Sequence, residues 1–123
     1  MILVVEDEAD VRDELIEMLE LHSFAVCGAS SVASGVDKVR NAAPPLTLLT
    51  DLRLQEGSGL DLIRKIRSDP DLRNKVVRAV LMTGHINLTE QVQREIEKQE
   101  LPILFKPVDC KLLLSSLAPD ALP

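Results

Sequence analysis

Glu6, Asp7 and Asp51 bring three carboxylates, Thr83 a hydroxyl and Lys106 an ammonium. Those groups together suit a divalent metal and a phosphoryl group. Oxygen ligands favour Mg²⁺, which binds through one or two carboxylates and phosphate oxygens. A carboxylate held against such a cation can act as a nucleophile and form an acyl phosphate. Asp51 is the best candidate, because the residues before it are the most apolar. Lys106 can neutralise charge on the transferred group, and Thr83 can donate a hydrogen bond to one of its oxygens. Gly84 follows Thr83 and leaves room for an incoming group.

Taken singly, each residue has a plainer reading. An acidic pair after a strand commonly begins a helix, and a lone Asp often caps a turn. What carries the functional reading is position. Each group closes or directly follows an apolar run: Ile2–Val5, Leu46–Thr50, Ala79–Met82 and Ile103–Phe105. Ligands of an open parallel sheet bind outside the carboxyl ends of its strands.

The elements that must place those groups follow from apolar spacing. Strands are predicted over Met1–Val5, Phe24–Ala29, Leu46–Thr50, Arg78–Met82 and Leu101–Phe105. Helices are predicted over Asp10–Leu21, Val32–Asn41, from Ser58 to Arg67, over Leu88–Lys98 and over Val108–Leu117. Ser30 or Ser31 can cap the second helix, and Ser58 the third. Ser68-Asp69-Pro70-Asp71 reads as a break, and Pro102 as a sign of an edge or a strand start. Five strands alternating with five helices define an α/β fold, a parallel sheet covered on both faces. The doubly wound, flavodoxin-like order 2-1-3-4-5 is the natural topology. It makes strands 1 and 3 neighbours, so Asp7 and Asp51 face each other and call for a neutralising cation.

Bulk properties bound the remaining choices. The 123 residues are one domain by length, with 1–118 as its body and 119–123 as a tail or the start of a linker. With two Phe and no Trp or Tyr, the core must be aliphatic. A net charge of −6 argues against direct nucleic-acid binding, which needs basic residues against phosphates. Cys27 and Cys110 lack metal-site spacing and read as small buried residues, reduced in a cytoplasmic protein. Neither a secretion signal nor a membrane span is suggested. His22 reads as a surface residue, His85 as a loop residue near the site, and the charges of Glu90–Glu100 as a solvated helix face.

At this level the chain resembles the receiver domains of two-component response regulators, over essentially its whole length. The matching stretches are Ile2-Leu3-Val4-Val5-Glu6-Asp7-Glu8, Leu48 to Leu54, Gly59, Met82-Thr83-Gly84 and Phe105-Lys106-Pro107. The resemblance implies that Asp51 accepts a phosphoryl group from a phosphohistidine, in a sensor histidine kinase or a histidine phosphotransfer protein. It implies Mg²⁺ held by Asp7, Asp51 and the backbone carbonyl of Arg53, with Glu6 nearby. Thr83 and Lys106 would bind phosphoryl oxygens, and the Lys106–Pro107 bond is often cis in such domains. Pairing of two copies through the fourth helix, fifth strand and fifth helix is also implied by the resemblance.

Three positions depart from the family pattern. Glu6 stands where Asp is common, which keeps the charge. Ile103 stands where a Tyr or Phe usually swings inward, so the usual aromatic readout is missing. Gln55 replaces a common Pro. In the family, the residues two after the Asp and two after the Thr influence phosphoryl lifetime. Arg53 and His85 are expected to shield the acyl phosphate from water here.

The leading expectation is a phosphorylatable signalling switch, rather than an enzyme that turns over substrate. A pseudo-receiver acting as a phosphorylation-independent interaction module is the alternative, favoured only by Ile103. A phosphatase with an aspartyl nucleophile would usually carry a second Asp where this chain has Arg53. No output segment is recognisable after Leu117, so the expected protein acts by protein contact or is parted from its effector.

Overall fold

The computed structural model describes residues 1–84 and 87–117. Its strands are β1 (Ile2–Val5), β2 (Val26–Ala29), β3 (Leu46–Asp51), β4 (Val76–Thr83) and β5 (Ile103–Phe105). Its helices are α1 (Ala9–Leu21), α2 (Val32–Asn41), α3 (Gly59–Ser68), α4 (Pro70–Arg73), α5 (Glu90–Lys98) and α6 (Cys110–Leu117). All strand pairs are parallel, and the sheet order is β2-β1-β3-β4-β5, as expected. The α/β doubly wound fold therefore stands.

Strand alternation sorts the core into two layers. Leu3, Val5, Leu48, Ala79 and Leu81 point to one face, where α2, α3, α4 and α5 lay Val39, Leu62, Ile63, Leu72 and Ile96 against them. Ile2, Val4, Leu49, Val80 and Met82 point to the other, covered by Leu19 of α1 and by Leu113 and Leu117 of α6. Being buried on both faces, β1 and β3 read as almost unbroken apolar runs.

Among the described residues six helices replace the five expected, because Ser68-Asp69-Pro70-Asp71 both ends one helix and begins another. Asp69 closes α3 and also caps α4, accepting from the Asp71 N–H at 3.0 Å. Pro70 occupies the first helical position, where a missing N–H costs nothing. Ser31 rather than Ser30 caps α2, and Ser58 caps α3, each within a reciprocal capping box. Thr89 caps α5, so that helix begins at Glu90 rather than Leu88. Pro102 immediately precedes β5, which lies at an edge of the sheet. The Lys106–Pro107 and Pro44–Pro45 bonds are cis. The expectations for His85 and for residues 119–123 fall outside the described residues. Among the described residues, no helix is long and apolar enough to cross a membrane.

Candidate metal and phosphoryl site

β1 and β3 lie side by side in register, Val5 opposite Thr50, so the residues that follow meet at one end of the sheet. Glu6 and Asp7 leave β1 there, and Asp51 closes β3. Carboxylate oxygens of Glu6, Asp7 and Asp51 all lie within 4.8 Å of one another. Glu6 is 1% exposed and Asp51 8%, while Asp7 is half-buried. Lys106 follows β5 and crosses the strand ends to the same cluster. Its Nζ donates to Asp51 Oδ2 at 2.9 Å and to Glu6 Oε2 at 3.1 Å.

The chain around Asp51 is held closely. Leu52 N donates to the Met82 carbonyl at 2.7 Å, and Arg53 N donates to Asp51 Oδ1 at 3.3 Å. Gly59 opens α3 directly against this turn. A Cβ at Gly59 would stand 2.4 Å from the Asp51 carbonyl oxygen, so only glycine permits the approach. Thr83 ends β4 and is 1% exposed, and its carbonyl accepts from Lys106 N at 2.8 Å. An open cleft of about 370 Å³ borders the cluster, lined by Asp7, Asp51, Arg53, Gly84 and Lys106 among others.

Burial, and after it a hydrogen bond with Asp51, pushes the Glu6 carboxyl up to about 7 against the opposing pull of Lys106. Burial would lower the Lys106 ammonium. Its bonds to Asp51 and Glu6 and their negative charge outweigh that, and its pKa is raised. Glu6 and Asp51 thus share the Lys106 ammonium, with Asp7 beside them. An all-oxygen donor set this close fits a hard divalent cation such as Mg²⁺.

Of the residues expected at the site, Glu6, Asp7, Asp51 and Lys106 are brought together directly, and Thr83 ends the neighbouring strand. Arg53 is exposed at the rim. The sequence reading missed Arg12, whose Nη1 donates to the Glu6 carbonyl at 2.7 Å. The charges of Glu90–Glu100 are exposed as expected except for Glu95, which bonds Arg64 of α3, while Gln99 bonds Arg67. No periodicity links residues about thirty positions apart on separate helices. Cys27 and Cys110 are free, and half-buried rather than buried.

Residues 2–118 match the family described as the response regulator receiver domain, and the chain belongs to that family. The acid tolerance regulatory protein ActR of Rhizobium meliloti (strain 1021) is 35% identical over 116 residues, covering 94% of this chain and 57% of that protein. The phosphate regulon transcriptional regulatory protein PhoB of Escherichia coli (strain K12) is 30% identical over 116 residues, covering 94% of this chain and 49% of PhoB. The chain thus spans about half the length of these curated relatives. A response regulator receiver protein from Pseudomonas putida, solved by crystallography, superposes with a TM-score of 0.84 at 28% identity. That alignment covers 97% of this chain and 95% of that one.

Proposed function

We propose that this receiver domain accepts a phosphoryl group on Asp51 from a phosphohistidine of a sensor histidine kinase or histidine phosphotransfer protein. The observation that carries the reading is the meeting of Asp51 with Glu6, Asp7 and Lys106 where β1, β3 and β5 end. An Asp51 carboxylate oxygen attacks phosphorus as the nitrogen–phosphorus bond breaks, and the freed imidazole keeps the electron pair and takes a proton from water. Lys106 balances charge on the phosphoryl oxygens, and the Thr83 hydroxyl donates to one of them. Glu6, Asp7, Asp51 and the Arg53 backbone carbonyl would hold Mg²⁺, which supplies further positive charge against those oxygens when bound.

In this reading the domain is a cytoplasmic switch that assists its own phosphorylation, not an enzyme that releases a product. Its output surface is the face of α5, β5 and α6, through which two copies could pair. The helix numbers are one higher than a five-helix count because α4 intervenes.

The test is incubation with Mg²⁺ and acetyl phosphate, followed by intact mass beside an Asp51→Asn control. Gain of one phosphoryl group by the unmutated protein alone is the expected result. No gain by folded protein would favour the phosphorylation-independent module. Ile103, half-buried where the family usually carries an aromatic ring, is the observation on that side.

A further inference from the structure

The helices differ in how their amino-terminal turns are fastened. In α2, α3, α4 and α5 the residue before the first turn caps it with its side chain: Ser31, Ser58, Asp69 and Thr89. In α1 the corresponding residue is Glu8, and its side chain makes no such bond. Yet the turn into α1 carries Glu6 and Asp7, two of the three clustered acids.

A different device holds this turn. Arg12, one helical turn into α1, reaches back and donates from Nη1 to the Glu6 carbonyl at 2.7 Å. That oxygen belongs to the peptide joining Glu6 to Asp7, so anchoring it fixes where Asp7 leaves the strand. The other bond spanning the turn is longer, from Glu8 N to Glu6 Oε1 at 3.4 Å. Across the sheet edge, Gly28 of β2 leaves room for the arginine stem. A Cβ there would stand 3.2 Å from Arg12 Cδ and 2.9 Å from Ile16 Cδ1.

Among the described residues Arg12 forms no ion pair with a carboxylate; its guanidinium bonds the Glu6 backbone carbonyl instead. A guanidinium beside a cation site repels the cation. Any contribution of Arg12 to cation binding is therefore geometric, through the Glu6 carbonyl.

We propose that Arg12 is a positioning residue for the divalent-cation site, holding the Glu6–Asp7 peptide where it enters α1, with Gly28 leaving space beside its stem. The proposal rests on the Mg²⁺ reading of the acidic cluster given above. It separates from electrostatics by sign. Removing the charge without any positioning role would tighten Mg²⁺ binding, and loss of positioning weakens it.

The experiment is calorimetric titration of the full chain with Mg²⁺ alone, for the unmutated protein, Arg12→Met, Arg12→Lys and Gly28→Ala, each first shown folded by its thermal melt. Arg12→Met is expected to raise the Mg²⁺ Kd about tenfold, the usual scale for an outer residue that orients ligands. Arg12→Lys keeps the charge and one donor and should fall between. Gly28→Ala keeps every charge yet crowds the stem and the Ile16 tip, and should also weaken binding, by less. Phosphorylation by acetyl phosphate should slow in Arg12→Met at low Mg²⁺ and recover at saturating Mg²⁺. An unchanged or lower Kd in Arg12→Met, with normal binding by the unmutated protein, overturns the role of Arg12 alone. Should Arg12→Met not fold, unchanged Kd values in the other two variants overturn it equally. Absence of Mg²⁺ binding by the unmutated protein overturns the site reading together with this one.

Discussion

α3 and α5 lie over the same face of the sheet and are held there by different forces. α3 buries Gly59, Leu60, Leu62, Ile63 and Ile66. α5 buries Ile96, with Leu88 and Val92 half-buried beside it. What α5 lacks in apolar contact is supplied by charge from α3. Arg64 donates from Nε to Glu95 Oε2 at 2.7 Å and from Nη2 to Glu95 Oε1, while its Nη1 reaches Asp61 Oδ1 at 2.6 Å. Arg67 adds a bond to Gln99 Oε1 at 2.9 Å. Apolar burial is a large, non-directional contribution that resists displacement, whereas an exposed ion pair contributes about 0–1 kcal/mol. The difference predicts that α3 is a fixed part of the scaffold and that α5 opens more readily than α3, as the elements that move tend to do.

The contrast has measurable consequences, strongest in α3. Leu62→Ala should lower stability by about 2–5 kcal/mol, read as a fall in the urea midpoint. Val92→Ala in α5, half-buried, should cost about 1 kcal/mol. Equal losses at the two positions would remove the distinction. Next in size is Gly59→Ala, whose new methyl must displace the Asp51 carbonyl. A loss of about 1–3 kcal/mol is expected, together with slower phosphorylation by acetyl phosphate. Gly84→Ala is its control, with nothing among the described residues within 4 Å of the added Cβ, and stability should change by less than about 0.5 kcal/mol.

Smaller still is the clamp itself. A double-mutant cycle of Arg64→Met and Glu95→Gln should give a coupling of about 0.5–1 kcal/mol. Hydrogen exchange should quicken in α5 and stay unchanged in α3; equal quickening of both helices would mean that they open as one unit. The smallest effect is on pH. The Arg64 hydrogen bond, above all, holds the Glu95 carboxyl below its ordinary value of 4.5. A carboxylate with a depressed folded-state pKa gives stability that is fully present above its unfolded value and lost as pH falls through the folded one. Arg64→Met should therefore flatten the part of the acid-unfolding curve below about pH 4.5. A curve identical to that of the unmutated protein would show that the pair contributes through packing alone.

The same contrast explains what could be read from the sequence. Burial leaves a trace in residue order. Leu60, Ile63 and Ile66 recur at helical spacing, and every strand but β2 stands out as an apolar run. The carboxylates were legible because each follows such a run, and the parallel order then forces them to one end. Interactions between elements leave no such trace. Arg64 and Glu95 look like ordinary surface charges until α3 and α5 are laid side by side, and Arg12 looks like any helix arginine until the Glu6 carbonyl is seen beneath it. α4 was missed for a local reason, since the Asp-Pro pair that stops one helix is also a sound way to start the next. Ends of elements shifted by a residue or two where a cap decided them, as Thr89 does for α5.

Ile103 lies half-buried on β5, beside the groove that β5 forms with α5, in a chain that has neither tryptophan nor tyrosine. Optically the protein is therefore almost dark. A single tryptophan introduced at position 103 would be its sole indole emitter, and the colour and polarisation of its light would report, without a background to subtract, how closely α5 sits on the sheet.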